Sequence, residues 1–319
     1  MDKKMADFCS FTIEQPEKIP VLFVLFNRPE LVQESIQPIA RYRPRHLYLA
    51  ADGPRPDRQG EAELCHRARA AALEAIDWEC EVRTLFRDQN VGCGRGVSEA
   101  ISWMLESEEY GAIVEDDCIV SCDFFRLCEE VLPLYCDDER VAQVSAFDPY
   151  STGKVQESYF FASYPTCWGW ATWRRAWRHI DFEMKTWPAL RLRIFRRINL
   201  PEALICLWEG QKLYRSFRSG KPYTWDFQWG MCVMMERRLC LMPRANLARN
   251  VGMGIKNATN THGIVTSWSE VNVGVLQFPL QHPARVTLDH REERHRKYRQ
   301  WLYRYAELLV KKVGAALNF

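Results

Sequence analysis

Apolar residues fall along this chain in two styles. In the first 120 residues, short unbroken apolar runs alternate with helical patterns. "PVLFVLF" (20–26), "RHLYLAAD" (45–52), "CEVRTLFRD" (80–88) and "YGAIVEDD" (110–117) each read as a strand. The first of these is a continuous apolar run, which suits a strand buried on both faces, as in a parallel sheet. Between them lie "NRPELVQESIQPIARY", "GEAELCHRARAAALEAI" and "VSEAISWMLESE", which read as helices. Pro29 sits near the first helix start and Pro38 spoils its last turn. Four rounds of strand and helix predict an open α/β sheet with right-handed crossovers.

The second half reads differently. "RVAQVSAFDPY" (140–150) is one more strand candidate. Aromatic, arginine-rich stretches follow, and eight of the 12 tryptophans lie between residues 168 and 229. "WDFQWGMCVMMERR" opens like a helix. The segment "EERHRKYRQWLYRYAELLVKKV" predicts a basic amphipathic helix with Trp301, Leu302, Tyr305, Leu308 and Leu309 on one face. The chain divides accordingly into a tail (1–17), a first half-domain (18–150), a second half of the same domain (151–290) and a C-terminal helix (291–319).

Composition narrows the class. A chain of 319 residues, 47% hydrophobic, can bury a large core. Its net charge of +2 gives no global pull toward nucleic acid. The 12 cysteines form no CxxC pair, and are expected to be mostly free thiols in a reducing compartment, the cytoplasm. No run approaches the 18 apolar residues of a membrane span. The basic terminal helix is the candidate for peripheral contact with the inner membrane face.

The chemistry centres on Glu115, Asp116 and Asp117, three carboxylates at the end of a strand. They repel one another and need compensation. A hard divalent cation, Mg²⁺ or Mn²⁺, would supply it while leaving positions open for phosphate; a solvated turn is the plainer reading. Side chains alternate on a strand, so Glu115 and Asp117 point one way and Asp116 the other. Ligands of open α/β sheets sit beyond such strand ends. Arg28, just past the first strand, suits phosphate recognition. "NVGCGRG" follows a strand and opens a helix, but Val97 stands where the dinucleotide fingerprint needs its third glycine, and the loop follows the wrong strand. That excludes a Rossmann dehydrogenase. Arg95 either approaches a diphosphate or sits in a plain tight turn. Gly169 permits close backbone approach, and Trp168 and Trp170 can stack on a sugar or fill a core. Asp226 stands among Trp225, Phe227 and Trp229, surroundings that raise a carboxyl pKa and suit a general base. A helix cap is the alternative.

The order of these motifs resembles the GT-A class of nucleotide-sugar glycosyltransferases, in particular bacterial family-2-like proteins and the N-acetylglucosaminyltransferase I type. The resemblance runs over residues 18–265: "NRP", "AADGP", "EDD" followed by "DFF", "CWGWATWRRAW", "WDFQW", "NLARNVG", "ATNTHG". It implies a GT-A-like open mixed sheet flanked by helices, with a nucleotide-sugar-binding half and an acceptor half. It implies an inverting, metal-dependent transfer from a nucleotide-diphosphate donor, UDP by preference, to a hydroxyl of a glycan or lipid-linked acceptor. Residue by residue it implies Asp117 as metal ligand, Asp116 at the ribose or a metal-bound water, and Glu115 near the sugar. It also implies Asp52 at the base, Asn27 and Arg28 lining the crevice, Asp226 as base and His262 returning to the metal or diphosphate. Glu115, Asp148 and Asp181 are the reserve bases. The competing class is a non-catalytic nucleotide-sugar or glycan-binding protein of the same fold. A nucleotidyltransferase is disfavoured, because "NRPEL" stands where its glycine-rich loop would follow the first strand.

Overall fold

The computed structural model describes residues 17–150, 157–196, 200–220, 224–253 and 271–299. The first four strands are β1 (Val21–Leu25), β2 (His46–Ala51), β3 (Glu81–Phe86) and β4 (Tyr110–Glu115). Two helices, α1 (Pro29–Ser35) and α2 (Gln37–Tyr42), follow β1. The helix expected over this stretch breaks at Ile36 because Pro38 has no N–H to continue the ladder, and a new helix starts there. α3 (Glu61–Glu74) connects β2 to β3, and α4 (Cys93–Ser107) connects β3 to β4.

Beyond the acidic triplet come β5 (Cys118–Val120), α5 (Cys122–Leu134), β6 (Val141–Ser145), β7 (Tyr159–Ala162) and β8 (Trp170–Trp173). Short helices α6 (Arg174–Trp177) and α7 (Trp187–Leu190) lead to the longer α8 (Leu200–Arg218) and α9 (Asp226–Met235). β9 (Leu239–Pro243) and β10 (Ala248–Asn250) close the described strands.

Eight strands form one mixed sheet in the order β3-β2-β1-β4-β8-β6-β9-β7, and β10 pairs with β5 in a separate ribbon. β3, β2, β1 and β4 run parallel, while β8 is antiparallel to both β4 and β6. Both halves of the chain therefore contribute to a single open mixed sheet flanked by helices, the architecture expected from the sequence.

Alternation on β1 builds two cores. Val21, Phe23 and Leu25 pack on one face with Val32, Ile39 and Phe125. Leu22 packs on the other with α4. Val97, Ala100, Ile101, Met104 and Leu105 are the buried stripe of that helix, at i, i+3, i+4, i+7 and i+8. Burying each of the larger side chains contributes roughly 1.5–3 kcal/mol. Trp170, Trp177, Trp225 and Trp229 extend the α4 face. Trp170 stacks on Trp225 at 5.3 Å, Trp177 meets Trp229 at 5.3 Å, and the Trp229 indole donates to Gln143 Oε1 at 2.6 Å.

Residues 290–299 are helical. Asp289 caps them, accepting from the Arg291 and Glu292 N–H groups at 3.1 and 3.0 Å. This stretch docks through charge: Arg296 meets Asp148 at 2.8 Å, with both side chains at most 2% exposed. Trp301, Leu302, Tyr305, Leu308 and Leu309, the apolar face expected of the terminal helix, lie outside the described residues, as does the N-terminal tail through residue 16.

Candidate functional site

β1 and β4 run side by side in register, Val24 opposite Glu115. The Asp116 N–H extends the ladder by donating to Val24 O at 2.9 Å. Their carboxyl ends thus open at one place. The chain leaves β1 toward β2 on one side, and β4 lies on the other, so a crevice forms at the switch point. It holds a cleft of ≈ 520 Å³, lined by Phe26, Arg28, Asp52, Arg55, Arg87 and Glu115 among others.

Glu115 and Asp116 of the acidic triplet line one wall, and Asp117 follows them just outside the lining. Arg28 forks across the triplet, contacting Asp116 Oδ1 with one nitrogen and Asp117 Oδ2 at 3.1 Å with the other. Phe26 N–H donates to the second Asp116 oxygen at 3.1 Å. Burial alone would lower the Arg28 pKa; the charges of Asp116 and Asp117 outweigh it and hold the guanidinium charged. Burial pushes Asp116 up, against the pull of Arg28. Burial also pushes Glu115 up, helped by the charges of Asp117 and Asp116 and, more weakly, Asp226. Part of the compensation that the sequence assigns to a cation is therefore supplied by the protein. One guanidinium offsets one of three carboxylates.

Asp117 is held from behind by the β5–β10 ribbon. Val251 N–H donates to its carbonyl at 2.8 Å and Asn250 Nδ2 to its Oδ1 at 3.2 Å. Gly252 packs so closely that a Cβ there would come 2.6 Å from Asp117 Cβ. This is the local use of "NLARNVG": asparagine and glycine fix the carboxylate of Asp117, which stays 21% exposed. Mg²⁺ and Mn²⁺ take oxygen ligands and are often held by one or two carboxylates plus substrate phosphates. The donor chemistry of Asp117 fits that mode. Among the described residues no group of three or more His, Cys, Asp or Glu is placed to hold a metal by itself. His262 lies outside the described residues.

Asp52 lines the cleft, yet its carboxylate serves the glycine loop. Gly53 and Val91 N–H donate to Oδ1 at 2.9 and 3.0 Å, and Asn90 Nδ2 and Gly92 N–H to Oδ2 at 3.0 and 2.9 Å. A carboxylate offers about four acceptor sites, and all are taken. Through these bonds Asp52 ties β2 to the entry of α4. Asn27 is redirected. It is 9% exposed and its amide donates to Glu61 Oε1 at 2.8 Å. Glu61 in turn accepts from the Arg55 backbone N–H at 2.7 Å, so Asn27 braces α3 instead of lining the crevice.

Arg95 is exposed on α4 with Glu99 at 4.0 Å and stands outside the cleft lining. The arginines that do line it, besides Arg28, are Arg55 and Arg87. Sequence reading passed over both. Their signal was positional: each is the first basic residue beyond the end of β2 or β3.

Trp168 and Gly169 pack inward. Trp168 lies on Phe147 with ring centroids 4.3 Å apart. Gly169 has φ +71°, and a Cβ there would fall 2.3 Å from Val120 Cγ1. The close approach expected of this glycine is real, but β5 occupies it. Trp170 is fully buried.

Asp226 is the first residue of α9 and is exposed, while Trp225 and Trp229 turn into the core. The apolar enclosure expected around it is absent. The Thr224 hydroxyl and the Phe227 N–H, the latter at 2.9 Å, donate to its Oδ1. Gly94 brings this helix start to the glycine loop: a Cβ there would come 2.7 Å from Thr224 O. Asp226 is near enough to the triplet for its charge to act on Glu115. Among the reserve acids, Asp148 is locked to Arg296. Asp181 closes the turn before α7, accepting from Lys185 and Thr186 N–H at 2.9 and 2.7 Å.

No protein-family model and no curated protein sequence matches the chain. Solved structures share parts of its shape. A mannosyltransferase from Pyrobaculum calidifontis, solved with GDP-Man and Mn²⁺, is 13% identical, with 69% of this chain and 87% of that one covered at a TM-score of 0.32. Mouse xyloside xylosyltransferase 1 is 11% identical over 68% of this chain and 82% of its own, at 0.34. HddC from Yersinia pseudotuberculosis is 6% identical over 49% and 77%, at 0.31. These are partial likenesses, and the chemistry that follows rests on the cleft.

Proposed function

We propose that this chain is a nucleotide-diphospho-sugar transferase, with the donor in the switch-point cleft and the acceptor approaching from the α9 side. The carrying observation is the meeting of Arg28, Asp116 and Asp117 at one strand end, beside a cleft that also presents Arg55 and Arg87. Guanidinium groups match phosphate oxygens in shape and charge. A nucleoside diphosphate with its sugar is a ligand of about the size that a cleft of ≈ 520 Å³ accepts. UDP is the preferred nucleotide and a glycan or glycolipid hydroxyl the preferred acceptor, both by the sequence resemblance.

In this reading Asp117 is the protein's ligand to Mn²⁺ or Mg²⁺. An ion held there would supply positive charge against the departing diphosphate. Arg28 keeps Asp116 and Asp117 in place and offers its remaining N–H groups to phosphate. Asp226, exposed and free of a guanidinium partner among the described ion pairs, takes the proton of the acceptor hydroxyl as it attacks the anomeric carbon. The Thr224 and Phe227 donors fix one of its oxygens and leave the other to the acceptor. Attack opposite the departing diphosphate inverts the anomeric centre.

Asp226→Asn tests this. It keeps shape and capping but removes the base. Sugar transfer, or hydrolysis of a UDP-sugar by water in its place, is expected to fall by about 10²–10⁴-fold with donor affinity unchanged. Turnover within tenfold of wild type removes Asp226 from the chemistry. Absence of turnover in the wild-type protein with every nucleotide sugar, despite binding, would leave a non-catalytic binder.

A further inference from the structure

Residues 189–220 concentrate positive charge. Seven arginines and lysines stand there against two glutamates, net +5 in a chain whose total is +2, so the remainder is net negative. Arg191, Arg193 and Arg196 are exposed before α8, and Lys212, Arg215 and Arg218 are exposed along its C-terminal half.

α8 is sided. Ala203 and Leu213 pack inward with Trp187, Ile194 and Met231. Gly210 faces the Trp187 ring so closely that a Cβ would come within 2.1 Å. The other side is apolar and uncovered: Leu200, Leu204 and Trp208 recur at i, i+4 and i+8 with 63%, 56% and 68% exposure. Leu192 at 75% and Phe195 at 49% are exposed as well, in the segment that precedes the helix. Single exposed apolar residues are ordinary, but a run along one helix face marks an interaction surface.

We propose that this face of α8, with Leu192 and Phe195, seats on an anionic lipid bilayer. Charge complementarity selects that occupant. A second copy of the chain would set two +5 segments against each other, whereas lipid phosphates match them. The composition is that of an interfacial helix: leucines and a tryptophan at the depth of the acyl boundary, cations reaching to the headgroups. Lys212 Nζ lies 5.9 Å from the Trp208 ring centre, a cation and an interfacial aromatic on the same side. Gly220, just past the helix end, lines the cleft, roughly 18 Å along the axis from Trp208. The surface is proposed independently of the transfer reaction.

The experiment is co-sedimentation of the full chain with vesicles of phosphatidylcholine alone or with about a third phosphatidylglycerol. Wild type is expected to bind the anionic vesicles and leave the neutral ones. The double variant Leu204→Glu with Trp208→Glu is expected to bind more than about tenfold more weakly, with an unchanged melting temperature, because both side chains are exposed. Failure of wild type to bind overturns the proposal. So does a double variant that binds equally well, or a wild-type dimer in light scattering that the same substitutions turn into a monomer.

Discussion

Arg28 and Asp117 stand 89 residues apart in the chain and 3.1 Å apart in the structure. Their meeting follows from the parallel register of β1 and β4, which delivers the residues after both strands to the same edge. The pair, with Asp116, is an ion cluster of low exposure: 15% for Arg28 and 3% for Asp116. Removing one partner from such a cluster leaves charge buried and uncompensated. Arg28→Ala is expected to lower unfolding stability by about 3–5 kcal/mol. Arg28→Lys should recover part of this, since an ammonium cannot fork between two carboxylates. Chemical denaturation of the three proteins is the check, and an Arg28→Ala protein as stable as wild type would show that the cluster is not what holds this edge.

Asp52 gives a second test, because its two roles predict different losses. As the tie of the glycine loop it accepts four hydrogen bonds, and bonds to a charged group contribute about 1.5–3 kcal/mol each. Asp52→Ala is therefore expected to destabilise the protein by several kcal/mol and to weaken UDP and GDP by the same factor. A change in the ratio of UDP to GDP affinity, with stability intact, would return Asp52 to the base.

Glu61 makes stability depend on pH. Burial alone would raise its carboxyl; hydrogen bonds from Arg55 and Asn27 and the Arg55 charge outweigh burial and hold it below the ordinary value of 4.5. A depressed folded pKa means that the stabilisation is complete above 4.5 and is lost as pH falls through the folded value. The melting-temperature gap between wild type and Glu61→Gln is expected to be full at pH 7 and to close progressively below about pH 4.5. A gap that widens on acidification would reverse the sign assigned here.

β1, β2 and β4 were legible because they are buried on both faces, so that an apolar run such as "PVLFVLF" ends abruptly in polar residues; β3, at the sheet edge with Glu81, Arg83 and Thr84 exposed, was legible only from its place in the alternation. β7 and β8 were not. Their residues are aromatic, and "WATW" offers the same letters to a core, a sugar platform or a strand; only pairing with β4 and β6 decides. The place of the triplet at the mouth of the cleft was legible because a strand of a parallel sheet that ends in carboxylates delivers them to the open edge. Its neighbour Arg28 was legible as a crevice residue, but its fork to Asp116 and Asp117 was not, since the register of two strands sets it. Asn27 shows the opposite failure: adjacent to Arg28, it points to Glu61, because neighbouring residues leave the backbone in different directions. Asp52 was legible at the cleft, but its tie to the glycine loop was not, as most of the loop that bonds it lies some forty residues away.

The central claim is that the cleft between β1 and β4 binds a nucleoside diphosphate through Arg28 and a divalent ion on Asp117. Calorimetric titration of UDP into the wild-type chain, with Mn²⁺ and then with EDTA, tests it most directly, alongside Asp117→Ala with Mn²⁺. The account predicts saturable binding with Mn²⁺, and binding weaker by more than about tenfold with chelator or in Asp117→Ala. Equal affinity with and without chelator would contradict the role of the ion, and absence of binding by UDP and every other nucleoside diphosphate would contradict the account as a whole.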